Sequence, residues 1–218
     1  MASQPTVYVV DDDPQLRESL ELLIRSAGLN VEGFGSAEEF LAKRNSEAEG
    51  PVCLVLDIRM PGLSGLGLQK ELAAAGAELP TIVISGYADV PTAVEAMAAG
   101  ALDVIEKPFN RQAVMQRIRE ALDRSAQFVR DKGRRGEITA RISKLSPRER
   151  EVMELLVAGK SAKIIAAKFG IGEKTVLKHR SRVMEKMRVE SIAELVRIAL
   201  GVRDTPGGRP KLAYDLSP

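Results

Sequence analysis

Two of the residue types from which metal and nucleophile sites are most often built are nearly missing from this 218-residue chain: it has one cysteine, Cys53, and one histidine, His179. A single thiol cannot form an internal disulfide, which fits a reducing compartment. Cys53 lies inside an apolar run and reads as core. A zinc site or a Ser-His triad would need partners that His179 lacks; it reads equally as a phosphate contact or a packed helix residue. Long apolar runs are also missing, none approaching a membrane span, and Met1-Ala2-Ser3-Gln4-Pro5 lacks the basic and apolar regions of a signal peptide. The expectation is a cytoplasmic protein with no membrane partner.

Charge of one sign is scarce in each half. Residues 1–123 carry 10 Lys/Arg against 19 Asp/Glu, whereas residues 124–218 carry 22 against 11, although the whole chain nets only +2. Two domains with different partners are expected, and the basic one suits a polyanion such as nucleic acid.

The acidic half alternates short apolar runs with helical patterns, which predicts a doubly wound parallel sheet covered by helices on both faces. Val52-Cys53-Leu54-Val55-Leu56-Asp57 reads as a strand buried on both faces, followed by the turn-forming Met60-Pro61-Gly62. Val7-Tyr8-Val9-Val10 ends in Asp11-Asp12-Asp13, Thr81-Ile82-Val83-Ile84 ends in Ser85, and Asp103-Val104-Ile105-Glu106 ends in Lys107-Pro108. Parallel strands end at one edge of a sheet, where open α/β folds bind ligands. Two or three carboxylates, a hydroxyl and an ammonium would therefore share one site.

Crowded carboxylates repel one another unless a cation is present, and a hard divalent ion such as Mg2+ suits oxygen ligands. Asp57 could then attack a phosphoryl donor, with Lys107 and Ser85 binding the transferred oxygens. Taken singly, the same residues have plainer readings: Asp11 to Asp13 or Ser85 as helix caps, Lys107 as a surface amine. An aspartyl-phosphate hydrolase is the enzymatic rival. It would need a second acid–base residue beside the nucleophile, and Arg59 stands where some such hydrolases place an aspartate, so no enzyme is expected.

Ser36-Ala37-Glu38-Glu39, Ser146-Pro147-Arg148-Glu149 and Ser191-Ile192-Ala193-Glu194 have the form of capping boxes that open helices. Between Arg124 and Arg141 the chain is charged and poor in apolar residues, reading as a partly helical linker that breaks at Gly133 and Gly136. Further helical patterns run from Ser161 to Phe169, Glu173 to Met187 and Ser191 to about Leu200. The first two, joined at Gly170, form a helix-turn-helix pattern: Ala166 and Ala167 permit close packing, and Ile171 and Val176 plug the angle. Lys174, Lys178, Arg182 and Lys186 recur every four residues as a cationic ridge on the second helix. Small helical bundles share this packing, so the pattern alone leaves a structural reading open.

Val10-Asp11-Asp12-Asp13, Leu56-Asp57-Ile58-Arg59-Met60-Pro61-Gly62, Ile84-Ser85-Gly86 and Lys107-Pro108-Phe109 resemble, in order, the motifs of the receiver domain of bacterial two-component response regulators. Leu145 to Val152, Ala158-Gly159-Lys160-Ser161, Lys174-Thr175-Val176, His179 and Ser191 to Val196 are similar to the output domain of the LuxR/NarL/FixJ class. The resemblance implies a flavodoxin-like receiver with a five-stranded parallel sheet over residues 1–123. It implies a four-helix helix-turn-helix DNA-binding domain over 142–202; composition marks the partly helical linker over 124–141 and, from its turn residues and low apolar content, a flexible tail over 203–218.

By the same resemblance a sensor histidine kinase would phosphorylate Asp57. Asp12, Asp57 and the carbonyl of Arg59 would ligate Mg2+, with Asp11 nearby through water. Phosphorylation would promote dimerisation, or release of an output domain that the linker holds against the receiver, and the output domain would then bind promoter DNA as a homodimer and work with RNA polymerase. Leu177, Lys178, Ser181 and Arg182 would face the groove, with Lys174, Thr175 and His179 nearer the backbone. One position departs from the pattern. Val104 occupies the switch position, where receivers usually carry Tyr or Phe, and a β-branched side chain cannot swing as a ring does. Tyr87 is a conceivable substitute, and a receiver uncoupled from its output is the second rival.

Overall fold

The computed structural model describes residues 4–44, 50–86 and 90–203. Tyr87 and the tail from 204 onward lie outside them. The chain divides into two compact units, Met1–Asp131 and Lys132–Pro218.

In the first unit five strands alternate with helices: β1 Thr6–Val10, α1 Pro14–Ser26, β2 Asn30–Phe34, α2 Ala37–Lys43, β3 Val52–Asp57, α3 Gly65–Ala74, β4 Thr81–Ser85, α4 Val90–Ala98, β5 Asp103–Glu106 and the start of α5 Arg111–Ser143, whose residues from Lys132 belong to the second unit. All pairings are parallel, in the order β2-β1-β3-β4-β5. The period of two sorts side chains onto the two faces. Val7, Val9, Cys53, Val55, Ile82 and Ile84 pack with Leu20 and Ile24 of α1 and with Val114, Ile118 and Leu122 of α5. Tyr8, Val10, Leu54 and Leu56 pack on the other face with Phe40 of α2 and Leu68 and Leu72 of α3. Each fully enclosed Leu or Ile here contributes about 2 kcal/mol. Cys53 is wholly buried, and that burial raises its thiol pKa to about 12, as expected of a core thiol.

Helix entry follows the local sequence. Asp13 caps α1 by accepting from the Gln15 and Leu16 N–H groups, with Pro14 in the first turn. Ser36 caps α2 through the Glu39 N–H, while the Glu39 carboxylate reaches back to Gly35 rather than to Ser36 itself. Farther along, the Ser125 hydroxyl of α5 accepts from the Val52 N–H at 2.9 Å, tying that helix to the start of β3. The break expected at Gly133 and Gly136 is absent: α5 continues to Ser143. Two glycines cost a helix about 1 kcal/mol each, which flanking Arg, Glu, Ile and Ala can carry.

The second unit holds α6 Pro147–Val157, α7 Ala162–Phe169, α8 Glu173–Met187 and α9 Ile192–Arg203. Its core joins Ile138 at the end of α5 to Val152, Leu156, Ile165, Val176, Val183, Met187 and Leu195. The capping box at Ser146 is complete in both directions. At Ser191 the hydroxyl caps Glu194, whose carboxylate takes the Glu190 N–H instead. Gly170 ends α7 with φ 64°, the left-handed turn that glycine makes without a Cβ clash. Ala166 is buried against the following helix, but Ala167 faces solvent and takes no part in that packing.

Candidate functional site

Because the strands are parallel, the carboxyl ends of β1, β3, β4 and β5 lie along one edge. Asp11, Asp57 and Ser85 are buried there, Asp11 and Asp57 being only 2% and 6% exposed. The Lys107 ammonium bridges them, 2.5 Å from Asp57 Oδ1 and 2.9 Å from Asp11 Oδ2. The opposite oxygens are held by backbone: Asp57 Oδ2 accepts from the Arg59 N–H at 2.7 Å, and Asp11 Oδ1 from the Asp13 N–H at 2.9 Å. Lys107 owes its position to pairing of β4 with β5, since its own N–H donates to the Ser85 carbonyl at 2.8 Å. Arg17 of α1 adds a donor that the sequence reading missed, its guanidinium reaching the Asp11 carbonyl at 2.5 Å.

Burial raises the Asp11 pKa, although hydrogen bonds from Lys107 and Asp13 pull the other way. For Lys107, burial favours the neutral amine. The hydrogen bonds and charges of Asp57 and Asp11 together outweigh it, so the net shift is upward.

Asp12 is exposed, Asp13 serves as the α1 cap, and Arg59 is exposed two residues beyond Asp57. Among the described residues no three His, Cys, Asp or Glu side chains converge as a ready-made metal cluster. Magnesium does not require one: it binds through one or two carboxylates and keeps waters and phosphoryl oxygens as its remaining ligands. An edge offering carboxylate and carbonyl oxygens has the chemistry of such a hard-ion site. Val104 is half-buried against Ile58, Val83, Ala96, Ala101 and Leu66.

Gly65 opens α3 directly behind the Asp57 backbone. A Cβ there would stand 2.0 Å from the Asp57 carbonyl oxygen and 3.0 Å from the Ile58 Cα, and the Gly65 N–H donates to the Ile58 carbonyl at 3.0 Å. Gly65→Ala must push the Asp57–Ile58 backbone aside. A loss of about 2 kcal/mol in urea unfolding of the first unit is expected.

In the second unit α8 presents Lys174, Thr175, Leu177, Lys178, Ser181 and Arg182 to solvent, while Val176, Val183 and Met187 face inward. His179 is half-buried with Nδ1 enclosed and unpartnered. Lys186 leaves the expected cationic ridge: its ammonium sits 2.5 Å from the carboxylate of Glu149, a buried residue. Arg148 lies over the Phe169 ring, 3.5 Å from its centroid, and bonds Glu151 at 2.9 Å.

Residues 7–119 match the response regulator receiver domain, and residues 143–199 match the bacterial regulatory proteins of the luxR family. The transcriptional regulatory protein FixJ of Azorhizobium caulinodans is 48% identical over 194 residues, covering 89% of this chain and 91% of that protein. The response regulator protein TodT of Pseudomonas putida is 41% identical, covering 91% of this chain and 87% of its own length. Among solved structures, the response regulator StyR superposes with a TM-score of 0.80 at 41% identity, over 90% of this chain and 98% of that one.

Proposed function

Since the chain belongs to the two-component response regulators with a LuxR-family output domain, which are DNA-binding transcription regulators and not enzymes, we propose that Asp57 is its phosphoacceptor and that phosphorylation there drives assembly on DNA. The carrying observation is the Lys107 ammonium bridging Asp57 and Asp11 at a sheet edge. Asp57 attacks the phosphorus of a phosphohistidine on the sensor kinase; the new bond is P–O, and the imidazole leaves with the P–N electron pair. Lys107 transfers one of its N–H donors from Asp57 to a phosphoryl oxygen, and the Ser85 hydroxyl donates to another. Asp11, Asp12, Asp57 and the Arg59 carbonyl would hold Mg2+, and the chemistry it supplies there is neutralisation of charge on the transferring group.

The receiver spans 1–123, a helical linker 124–141 and the output domain 142–202, and the protein acts in the cytoplasm. Lys174, Thr175 and His179 contact the DNA backbone, while Leu177, Lys178, Ser181 and Arg182 enter the major groove. The homodimer forms through α4 and β5, where Val90, Val94 and Met97 are exposed apolar residues, and it presents the DNA-bound output domains to RNA polymerase. Val104 supports a coupling that runs through its packing on Ala96 and Ala101 rather than through a swinging ring.

Light scattering with Mg2+ and beryllofluoride, which mimics the phosphoryl group, tests this. The 23.6 kDa chain is expected to shift from monomer to dimer, and Asp57→Ala to remain monomeric. Bound mimic with no mass change would redirect the reading to release of the output domain. Equal promoter affinity for wild type and Asp57→Ala would mark a receiver uncoupled through Val104.

A further inference from the structure

The outward face of α8 is polar and cationic with one exception. Leu177 is 49% exposed, whereas Val176, Val183 and Met187 of the same helix are fully enclosed. At 100° per residue Leu177 lies beside Lys174, one turn before it, and Ser181, one turn after it, with Lys178 adjacent. It contributes little to the core of its own unit, and its apolar surface meets water until a partner covers it. The face that carries it is the one proposed above to enter the major groove. The apolar feature which base edges display there is the C5-methyl group of thymine.

We propose that Leu177 is a specificity-determining residue that packs on a thymine methyl in each half-site, flanked by hydrogen bonds and phosphate contacts from Lys174, Lys178 and Ser181. This inference rests on the DNA-binding role assigned to α8. It assigns Leu177 a chemical function distinct from that of Lys174: the phosphate contact of Lys174 adds to affinity and its salt dependence, whereas Leu177 discriminates a methylated pyrimidine edge.

Deoxyuridine isolates the methyl, because it pairs as thymine does but lacks that group. The full chain, activated with Mg2+ and beryllofluoride, selects its site from a pool of random duplexes. Each thymine of the selected duplex is then replaced in turn by deoxyuridine. One thymine per half-site is expected to matter, its demethylation weakening wild-type binding about fourfold, the equivalent of one buried methyl group. Leu177→Ala, whose helicity is checked by circular dichroism, should bind the two duplexes equally, and Leu177→Met should retain the discrimination. The proposal is overturned if no thymine shows the effect, or if Leu177→Ala discriminates as wild type does. If wild type selects no sequence at all, the DNA-binding role of α8 fails, and this inference with it.

Discussion

Asp57→Ala is expected to take up no phosphate from acetyl phosphate, as read by the mass of the intact chain, while Lys107→Ala takes it up about 10²- to 10³-fold more slowly than wild type. The two losses differ in kind. Asp57 supplies the atom that bonds to phosphorus, and among the described residues of this edge Asp11 is the only other buried carboxylate. Asp11 accepts from Asp13 and Lys107 on its two oxygens and sits at the end of β1, beside the β3 end that presents Asp57. Lys107 forms no covalent bond, so its removal leaves the acceptor intact and withdraws one charged donor from the transition state. It also leaves Asp11 and Asp57 facing each other without the ammonium between them. Because the net pKa shift of Lys107 is upward, the wild-type rate should show no loss of this donor as pH rises from 7 to 9. Equal rates for Lys107→Ala and wild type would remove Lys107 from the reaction.

The strands that build this site could be read in advance because β1, β3 and β4 are buried on both faces and so appear as continuous apolar runs. β2 offers no such run: Asn30, Glu32 and Gly33 are exposed on an edge strand, and only its alternation with helices in the chain signalled it. The convergence of Asp11, Asp57, Ser85 and Lys107 was legible for a topological reason, since parallel strands bring their carboxyl ends together whatever their order. What escaped were contacts made across large sequence separations by residues with ready local explanations. Gln69 sits in the middle of α3 yet is buried, its amide donating to the Ala96 carbonyl of α4 at 3.2 Å. Glu149 was accounted for by its capping box and Lys186 by its four-residue spacing in a cationic series. Their pairing depends on how α6 crosses α8, which neither pattern encodes.

That pairing carries a second large effect. Glu149→Ala is expected to destabilise the output unit by about 2 kcal/mol, below the 3–5 kcal/mol seen when fully buried pairs are broken. The discount follows from Lys186, whose side chain is 37% exposed and can turn to water. The same Glu149 oxygen accepts from Lys186 at 2.5 Å and from the Ser146 N–H at 2.8 Å, so alanine also opens the N-terminal cap of α6. Glu149→Gln keeps the cap acceptor and should cost less. The hydrogen bond from Lys186, then the Ser146 N–H, lower the Glu149 pKa to about 2 from an ordinary value near 4.5. A depressed carboxylate stabilises the fold above its unfolded pKa, so the contribution is complete above about pH 4.5 and is lost as pH falls towards 2. Hydrogen exchange at α6 and α8 amides in the full chain should show protection falling over that window in wild type and a flatter profile in Glu149→Gln. Lys186→Met distinguishes this role from a phosphate contact. If Lys186 belongs to Glu149, the variant loses protection in α6 while the salt dependence of DNA binding keeps its slope. If it contacted phosphate, the slope would fall by about one counterion and the protection would stay.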